Sequence, residues 1–336
     1  MASNKKRQIQ ETRGATQLML VSFIIPHKGR EEMLVQTIES IQSQSFDLAS
    51  IEVIVVSQNE SLDCAEHFNQ LSFTTLLADN NLTISELRNL GAQQSSGEYL
   101  AFLDADVKLS NNWLSTMLEL LEENKERKLV SAMQINGEAP PYLEQIRTVL
   151  SNAELDQNVS FLPGRNLFLS RNTFDAVGGF PAHLVTCEDY YFTDQVNQLG
   201  TLYYSSKANY VHLGEDKELK PMFQKEVWRG QSNLQSIKGR NIPLREVPSF
   251  LIPPAVMFGV LLFAIGLLIH NSLLSLFGLT IFLLPVLAYT FRLHSLAKGS
   301  IPFIEVLKFY LVYFPARAKG TFLGVIRTIS VKEAYK

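Results

Sequence analysis

The stretch "EYLAFLDADVKLS", residues 98–110, sets an apolar run directly against two carboxylates, Asp104 and Asp106, separated only by Ala105. A short continuous apolar run bounded by polar residues reads as a buried strand. Two like charges so close repel each other and need water, hydrogen-bond donors or a cation. The same pattern recurs outward from this point. "LMLVSFIIP" (18–26), "SIEVIVVS" (50–57) and "SFTTLLAD" (72–79) read as further strands, the last the weakest. Between them, "EEMLVQTIESIQSQ" (31–44) carries Met33, Leu34, Ile38 and Ile41 on one helical face, and "ISELRNLGAQQSSG" (84–97) reads as a helix ending near Gly97. Nearly continuous apolar strands alternating with helices predict an α/β domain whose mostly parallel sheet is covered on both faces. In such sheets ligands bind at the carboxyl ends of the strands. Pro26-His27-Lys28, Ser57-Gln58-Asn59 and Asp104-Ala105-Asp106 all fall at those ends.

No GxGxxG follows the first strand and no GxxxxGK[ST] occurs anywhere, so neither a dinucleotide fingerprint nor a P-loop handles phosphate here. A divalent cation, Mg²⁺ or Mn²⁺, held by Asp104 and Asp106 would do so, since such ions bridge carboxylates to substrate phosphates. A net charge of −3 over 336 residues gives no sign of a nucleic-acid partner. The two cysteines, Cys64 and Cys187, form no CxxC and read as reduced thiols of a cytosol-facing domain. The polar N-terminus is followed by no signal-type apolar segment, which leads us to expect a flexible tail over 1–17 and a catalytic domain that stays in the cytoplasm.

Residues 250–294 are different in kind. The runs 250–269 and 273–291 contain no charge, and each is close to the roughly 20 residues needed to cross the hydrocarbon core. They predict a transmembrane helical hairpin, with Pro253 and Pro254 near the first helix's start and Pro285 inside the second. Arg240 and Arg245 precede the hairpin, Arg292, Lys298, Lys308, Arg317 and Lys319 follow it, and its turn has no Lys or Arg. The positive-inside bias then puts both ends in the cytoplasm, at the inner membrane. The segment 295–336 shows Phe303, Val306, Leu307, Tyr310, Leu311 and Phe314 at helical spacing. It is expected to be an amphipathic helix in the membrane interface, with Arg317 and Lys319 near anionic head groups.

Taken in order, "VSFIIPHKGR", "IEVIVVS", "LRNLGAQQSSGEYLAFLDAD", "GRNLFLSRNTFDAVGGF" and "CEDYYFTDQVNQLG" resemble the family 2 glycosyltransferases of GT-A fold, over about residues 19–214. The resemblance implies a Rossmann-like α/β/α sandwich at 18–239, followed by a linker at 240–249. It also implies transfer of a sugar from a nucleotide-sugar donor to an acceptor, with inversion and a divalent metal. Asp104 and Asp106 match the family's DxD, and His212 in "YVHLGED" matches a histidine near the metal or pyrophosphate. Arg88 and Asn89 match a segment near the nucleotide, and with Pro26, Gln58 and Asp104 they make up the expected nucleotide-binding set. Gly164, Arg165 and Asn166 match a strand lining the acceptor side, and Gly178 and Gly179 match the "GGF" turn. Glu188 and Asp189 match the acidic pair that supplies the catalytic base, Asp189 being favoured. One departure stands out: the second strand ends in Ser57, Gln58 and Asn59, where the family usually has two aspartates and one of them reads uracil. "WRGQSN" (228–233) only faintly resembles the QxxRW of processive synthases, which points to single additions.

A membrane anchor makes a lipid-linked glycan or cell-surface polysaccharide the expected acceptor, with polysaccharide assembly proteins as possible partners. The competing readings are a polyprenyl-phosphate glycosyltransferase and a catalytically dead nucleotide-sugar-binding scaffold of an assembly complex.

Overall fold

The computed structural model describes residues 19–64, 68, 70–231, 244 and 246–334, of which 327–334 by backbone only. The expected tail at 1–17 and the residues 240–243 and 245 of the expected linker, with Arg240 and Arg245, lie outside the described residues.

The chain begins with strand β1 (Val21–His27), helix α1 (Glu31–Gln42), β2 (Ile51–Ser57) and β3 (Ser72–Leu77). It continues through α2 (Ile84–Gln94), β4 (Tyr99–Leu103), β5 (Val107–Leu109), α3 (Trp113–Glu123), β6 (Arg127–Ile135) and α4 (Tyr142–Ser151). Then come β7 (Gln157–Val159), β8 (Asn166–Ser170), α5 (Arg171–Ala176), α6 (Glu188–Asn197), β9 (Thr201–His212) and α7 (Leu219–Gly230). The sheet runs β3-β2-β1-β4-β8-β6-β9-β5, with β7 also paired to β9. β3, β2, β1 and β4 are parallel. β8 lies antiparallel between β4 and β6, β9 is parallel to β6, and the short β5 and β7 run antiparallel to β9.

Every residue of β1 and β2 is buried, as continuous apolar strands covered on both faces require. One face packs Phe23, Trp113 and Phe168 together, and the other stacks Phe102, Phe174, Phe180 and Phe192. Glu52 inside β2 is tolerated because its Oε1 accepts from Ser22 Oγ at 2.6 Å and from the Ser96 and Gly97 amides. Those bonds take up Ser96 and Gly97, so α2 stops at Gln94, short of the expected end near Gly97. At its other end α2 starts on a capping box between Thr83 and Glu86.

Three long helices complete the chain: α8 (Val247–Leu268), α9 (Ser272–Leu296) and α10 (Phe303–Ala334). α8 and α9 are long and apolar enough to cross a membrane, and most of each is unburied. Leu261, Leu268, Leu273, Leu276 and Leu284 point outward. The two helices touch through glycines: a Cβ on Gly259 would run into the Gly278 carbonyl and the Phe282 amide. α8 begins at Val247, so Pro253 and Pro254 sit inside it rather than at its start.

α10 departs from the expectation of a helix lying free in the interface. Its apolar stripe is spent on protein: Val306, Phe309, Tyr310 and Phe314 join Leu143 and Ile146 of α4, Met222 of α7 and Val286 of α9 in one buried cluster. Lys319 is exposed with its ammonium 5.9 Å from the Phe223 ring centroid, and Arg317 is turned inward to Glu226 at 3.5 Å. The cause is close backbone approach, since a Cβ on Gly320 would strike the Val227 carbonyl and the Gly230 Cα.

Candidate active site

β4 ends at Leu103 and the chain returns as β5 from Val107, so Asp104 and Asp106 occupy the turn at the carboxyl edge of the parallel strands. Backbone bonds fix that turn on both sides: Asp104 N donates to the Arg165 carbonyl at 3.0 Å, and Leu213 N donates to the Asp106 carbonyl at 2.8 Å. Beside it a cavity of about 320 Å³ is lined by Pro26, Lys28, Arg30, Gln58, Asp104 and Asp106, among others. Three of the strand ends picked out in the sequence therefore meet at one cavity. Lys28 and Arg30 were not singled out as phosphate-binding groups by the sequence, yet they are its cations, and Arg30 reaches Asp106 Oδ2 at 3.2 Å.

Gln58 is 8% exposed and its amide orientation is fixed. Nε2 donates to the carbonyls of Asp79 at 2.7 Å and Leu82 at 3.0 Å. Both amide hydrogens are thereby used, and Oε1 is left as the acceptor offered to the cavity.

His212 ends β9 with Nε2 3.3 Å from Asp106 Oδ1 and Nδ1 3.0 Å from Glu215 Oε2. Burial works against charging this imidazole, but its bonds to Asp106 and Glu215 outweigh burial and raise its pKa. Asp106 responds in the opposite sense: despite burial, the His212 hydrogen bond and then Arg30 pull it below the usual carboxylate range. Asp104 is pushed up by burial, with Arg88 countering and the Asp106 charge adding. Glu215 also accepts from Gln134 Nε2 at 3.0 Å and the Asp216 amide at 3.0 Å. The signal for Glu215 in the sequence is its spacing of three residues from His212.

Among the described residues no three His, Cys, Asp or Glu side chains already converge as a metal cage. The donor set nevertheless fits an ion that takes few protein ligands and fills its shell with phosphate and water. With Glu215 accepting from Nδ1–H, Nε2 is the nitrogen aimed at Asp106, and loss of its proton to an incoming cation would leave its lone pair for that ion, the arrangement that orients metal-binding histidines. Gly214 leaves the space that Asp106 Oδ2 occupies, since a Cβ there would collide with that oxygen.

Arg88 is 1% exposed and does not line the cavity, unlike the expected nucleotide contact. Its guanidinium binds Asp104 Oδ1 at 3.0 Å, Glu188 Oε1 at 2.9 Å and the Gly164 carbonyl at 3.1 Å. It spans the two acidic groups and sets their spacing. Asn89 also has another role: its amide exchanges two bonds of 2.9 Å with the Phe180 backbone and pins the turn of Gly178 and Gly179, whose φ values are +77° and +79°. Asn166 is fully buried and binds Trp113 Nε1 and the Ala132 amide, and Arg165 is drawn to Gln134 and Glu215. Of the expected acceptor-side trio, Gly164 alone touches the acidic pair.

The acidic pair opens α6 after Cys187, whose φ of 62° is left-handed and redirects the chain. Among the described residues neither Cys64 nor Cys187 forms a disulfide. Glu188 turns in to Arg88; burial, then the Asp189 charge, push its carboxyl up to about 7 in spite of that arginine. Asp189 is partly exposed, with Oδ2 3.3 Å from the Gly164 amide and Oδ1 2.9 Å from the Tyr190 amide.

The model of the family described as Glycosyl transferase family 2 matches residues 22–182, spanning β1, the DxD turn and the Gly178-Gly179 turn. Residues 22–182 are a family 2 glycosyl transferase domain. Among relatives, the glycosyltransferase AglE of Haloferax volcanii is 27% identical over 54% of this chain and 63% of its own length. The glucosyl-dolichyl phosphate glucuronosyltransferase of the same organism is 23% identical over 45% of this chain and 52% of its own. The chain thus spans only part of these curated relatives. The mannosyltransferase PcManGT from Pyrobaculum calidifontis, solved with GDP-Man and Mn²⁺, superposes with a TM-score of 0.59 at 16% identity, covering 90% of this chain and 86% of that one. That likeness establishes the GT-A fold.

Proposed function

We propose that this chain is a membrane-anchored, inverting glycosyltransferase that moves a sugar from a nucleotide-sugar to a lipid-linked glycan at the cytoplasmic membrane face. The reading is carried by Arg88, which binds Asp104 on the cavity side and Glu188 on the other with one guanidinium. A single displacement at the anomeric carbon needs a diphosphate-binding group and a base on opposite sides of the sugar. Asp189 fills the role of base: it is partly exposed and held by two backbone amides, whereas Glu188 is committed to Arg88. The diphosphate would lie against Lys28 and Arg30, and Gln58 Oε1 would accept a hydrogen bond from the base edge.

Asp104, Asp106 and His212 are the residues that would hold a divalent cation. When bound, such an ion supplies charge neutralisation to the departing nucleoside diphosphate. The two carboxylates suit Mg²⁺ or Mn²⁺. The relative named for a dolichyl phosphate substrate, together with α8 and α9, supports a lipid-linked acceptor. Arg292 near the end of α9 and Lys298 just after it, with no basic residue in the hairpin's turn, support the cytoplasmic side.

The test is kinetic. Asp189→Asn should lower the transfer rate by about 10²–10⁴-fold, the usual scale for loss of a general base, with donor affinity little changed. Near-normal turnover in Asp189→Asn with loss in Glu188→Gln would move the base to Glu188, and activity in both would refute the mechanism.

A further inference from the structure

A second cavity of about 230 Å³ lies between α4, the start of α7 and the start of α10. Its walls are apolar, formed by Leu143, Ile146 and Phe309, while Lys217 and Lys308 also line it. Lys308 is engaged by Glu305 at 2.8 Å. Glu305 lines the cavity as well and offsets Lys308, so the net positive charge left is that of Lys217, which is exposed and has no ion-pair partner among the described residues. Tyr142 and Leu219, the first residues of α4 and α7, also line it, and neither helix start is capped by a side chain.

The position of the cavity selects its occupant. Leu143, Ile146 and Phe309 belong to the same apolar cluster as Val256 of α8 and Val286 and Leu293 of α9. The cavity therefore adjoins the hairpin at the end where the catalytic domain meets it. A free phosphate would gain nothing from the leucine, isoleucine and phenylalanine walls, and an uncharged lipid would gain nothing from the lysines. We infer that this cavity binds the headgroup phosphate of an anionic bilayer lipid, with the lipid's apolar chain running along the hairpin. The inference rests on the reading of α8 and α9 as a membrane anchor. Lys217 makes the main electrostatic contact, Lys308 divides its charge between the phosphate and Glu305, and Phe309 and Leu143 cover the first carbons of the chain.

The experiment uses the full chain in an uncharged detergent, with the thermal midpoint followed during titration with phosphatidylglycerol. A saturable rise is expected in the wild type. In Lys217→Ala, which breaks no ion pair, and in Lys217→Ala/Lys308→Ala, the lipid concentration for half the effect should rise, in the double variant by on the order of tenfold. Lys108→Ala/Lys125→Ala removes the same charge elsewhere and should respond like the wild type. No saturable rise, or an unchanged midpoint curve in both cavity variants, would overturn the site. An equal rise with glycerol phosphate would overturn the lipid as its source. Co-flotation with neutral liposomes separates the two readings: a chain that floats but shows no phosphatidylglycerol preference retains its anchor and loses only this site, whereas one that fails to float loses the anchor itself.

Discussion

His212 can serve as a ligand only if its proton is on the far nitrogen, and Glu215 decides that. With Oε2 at 3.0 Å from Nδ1, Glu215 keeps Nε2 turned to Asp106. Loss of such an orienting carboxylate typically costs about 10–100-fold in metal affinity. Glu215→Ala should weaken Mn²⁺ binding by that order in a paramagnetic-resonance titration with nucleoside diphosphate present; an unchanged affinity would remove Glu215 from the site. Asp106→Asn should abolish the Mn²⁺-dependent part of nucleoside diphosphate binding in calorimetry and leave the fold intact, and retained Mn²⁺ dependence would count against the metal assignment. The placement of Asp104, Asp106 and His212 at strand ends was readable because they sit inside recognisable segments. Arg30 was not, because it meets Asp106 across 76 residues of sequence through packing alone. The bonds of Asn89 and Asn166 were not legible either: both stand in matching segments, and their amides bond to backbone, Asn89 to Phe180 and Asn166 to Ala132.

At the scale of elements, α10 is joined to the catalytic domain by a buried charge cluster. Glu226 of α7 meets Arg147 of α4 at 2.7 Å, Arg229 at 2.8 Å and Arg317 of α10 at 3.5 Å. Burial raises the Glu226 carboxyl, but the three arginines overcome it and hold it at about 2, below its ordinary 4.5. A folded-state pKa below the unfolded value gives stability that is present above pH 4.5 and lost as pH falls towards about 2. The amount is on the order of 3 kcal/mol. Acid unfolding of the wild type should steepen in that window, and Glu226→Gln should flatten it while lowering stability at neutral pH; parallel curves for the two proteins would contradict the account. Gly320→Leu should destabilise by about 1–3 kcal/mol through overpacking against Val227, read as a fall in thermal midpoint. The hairpin was legible from composition alone. The docking of α10 was not, because an apolar stripe at helical spacing looks the same whether it faces lipid or α4 and α7.

At the scale of the molecule, the parallel half of the sheet followed directly from β1, β2 and β4 as continuous apolar strands. The mixed half did not, because β5 and β7 have three residues each and β9 mixes polar residues into twelve. On the proposed reading, α8 and α9 give the catalytic domain a place to work beside a bilayer. A reporter fused after the last residue should be active on the cytoplasmic side, and activity confined to the opposite side would reverse the proposed topology. The most direct test reconstitutes the full chain in liposomes containing a lipid-linked glycan, supplies labelled nucleotide-sugars with Mn²⁺, and follows the label and its anomeric configuration. The account predicts Mn²⁺-dependent label in the lipid phase, with inverted configuration, abolished by Asp189→Asn. Label appearing with retained configuration, or transferred equally well by Asp189→Asn, would contradict it.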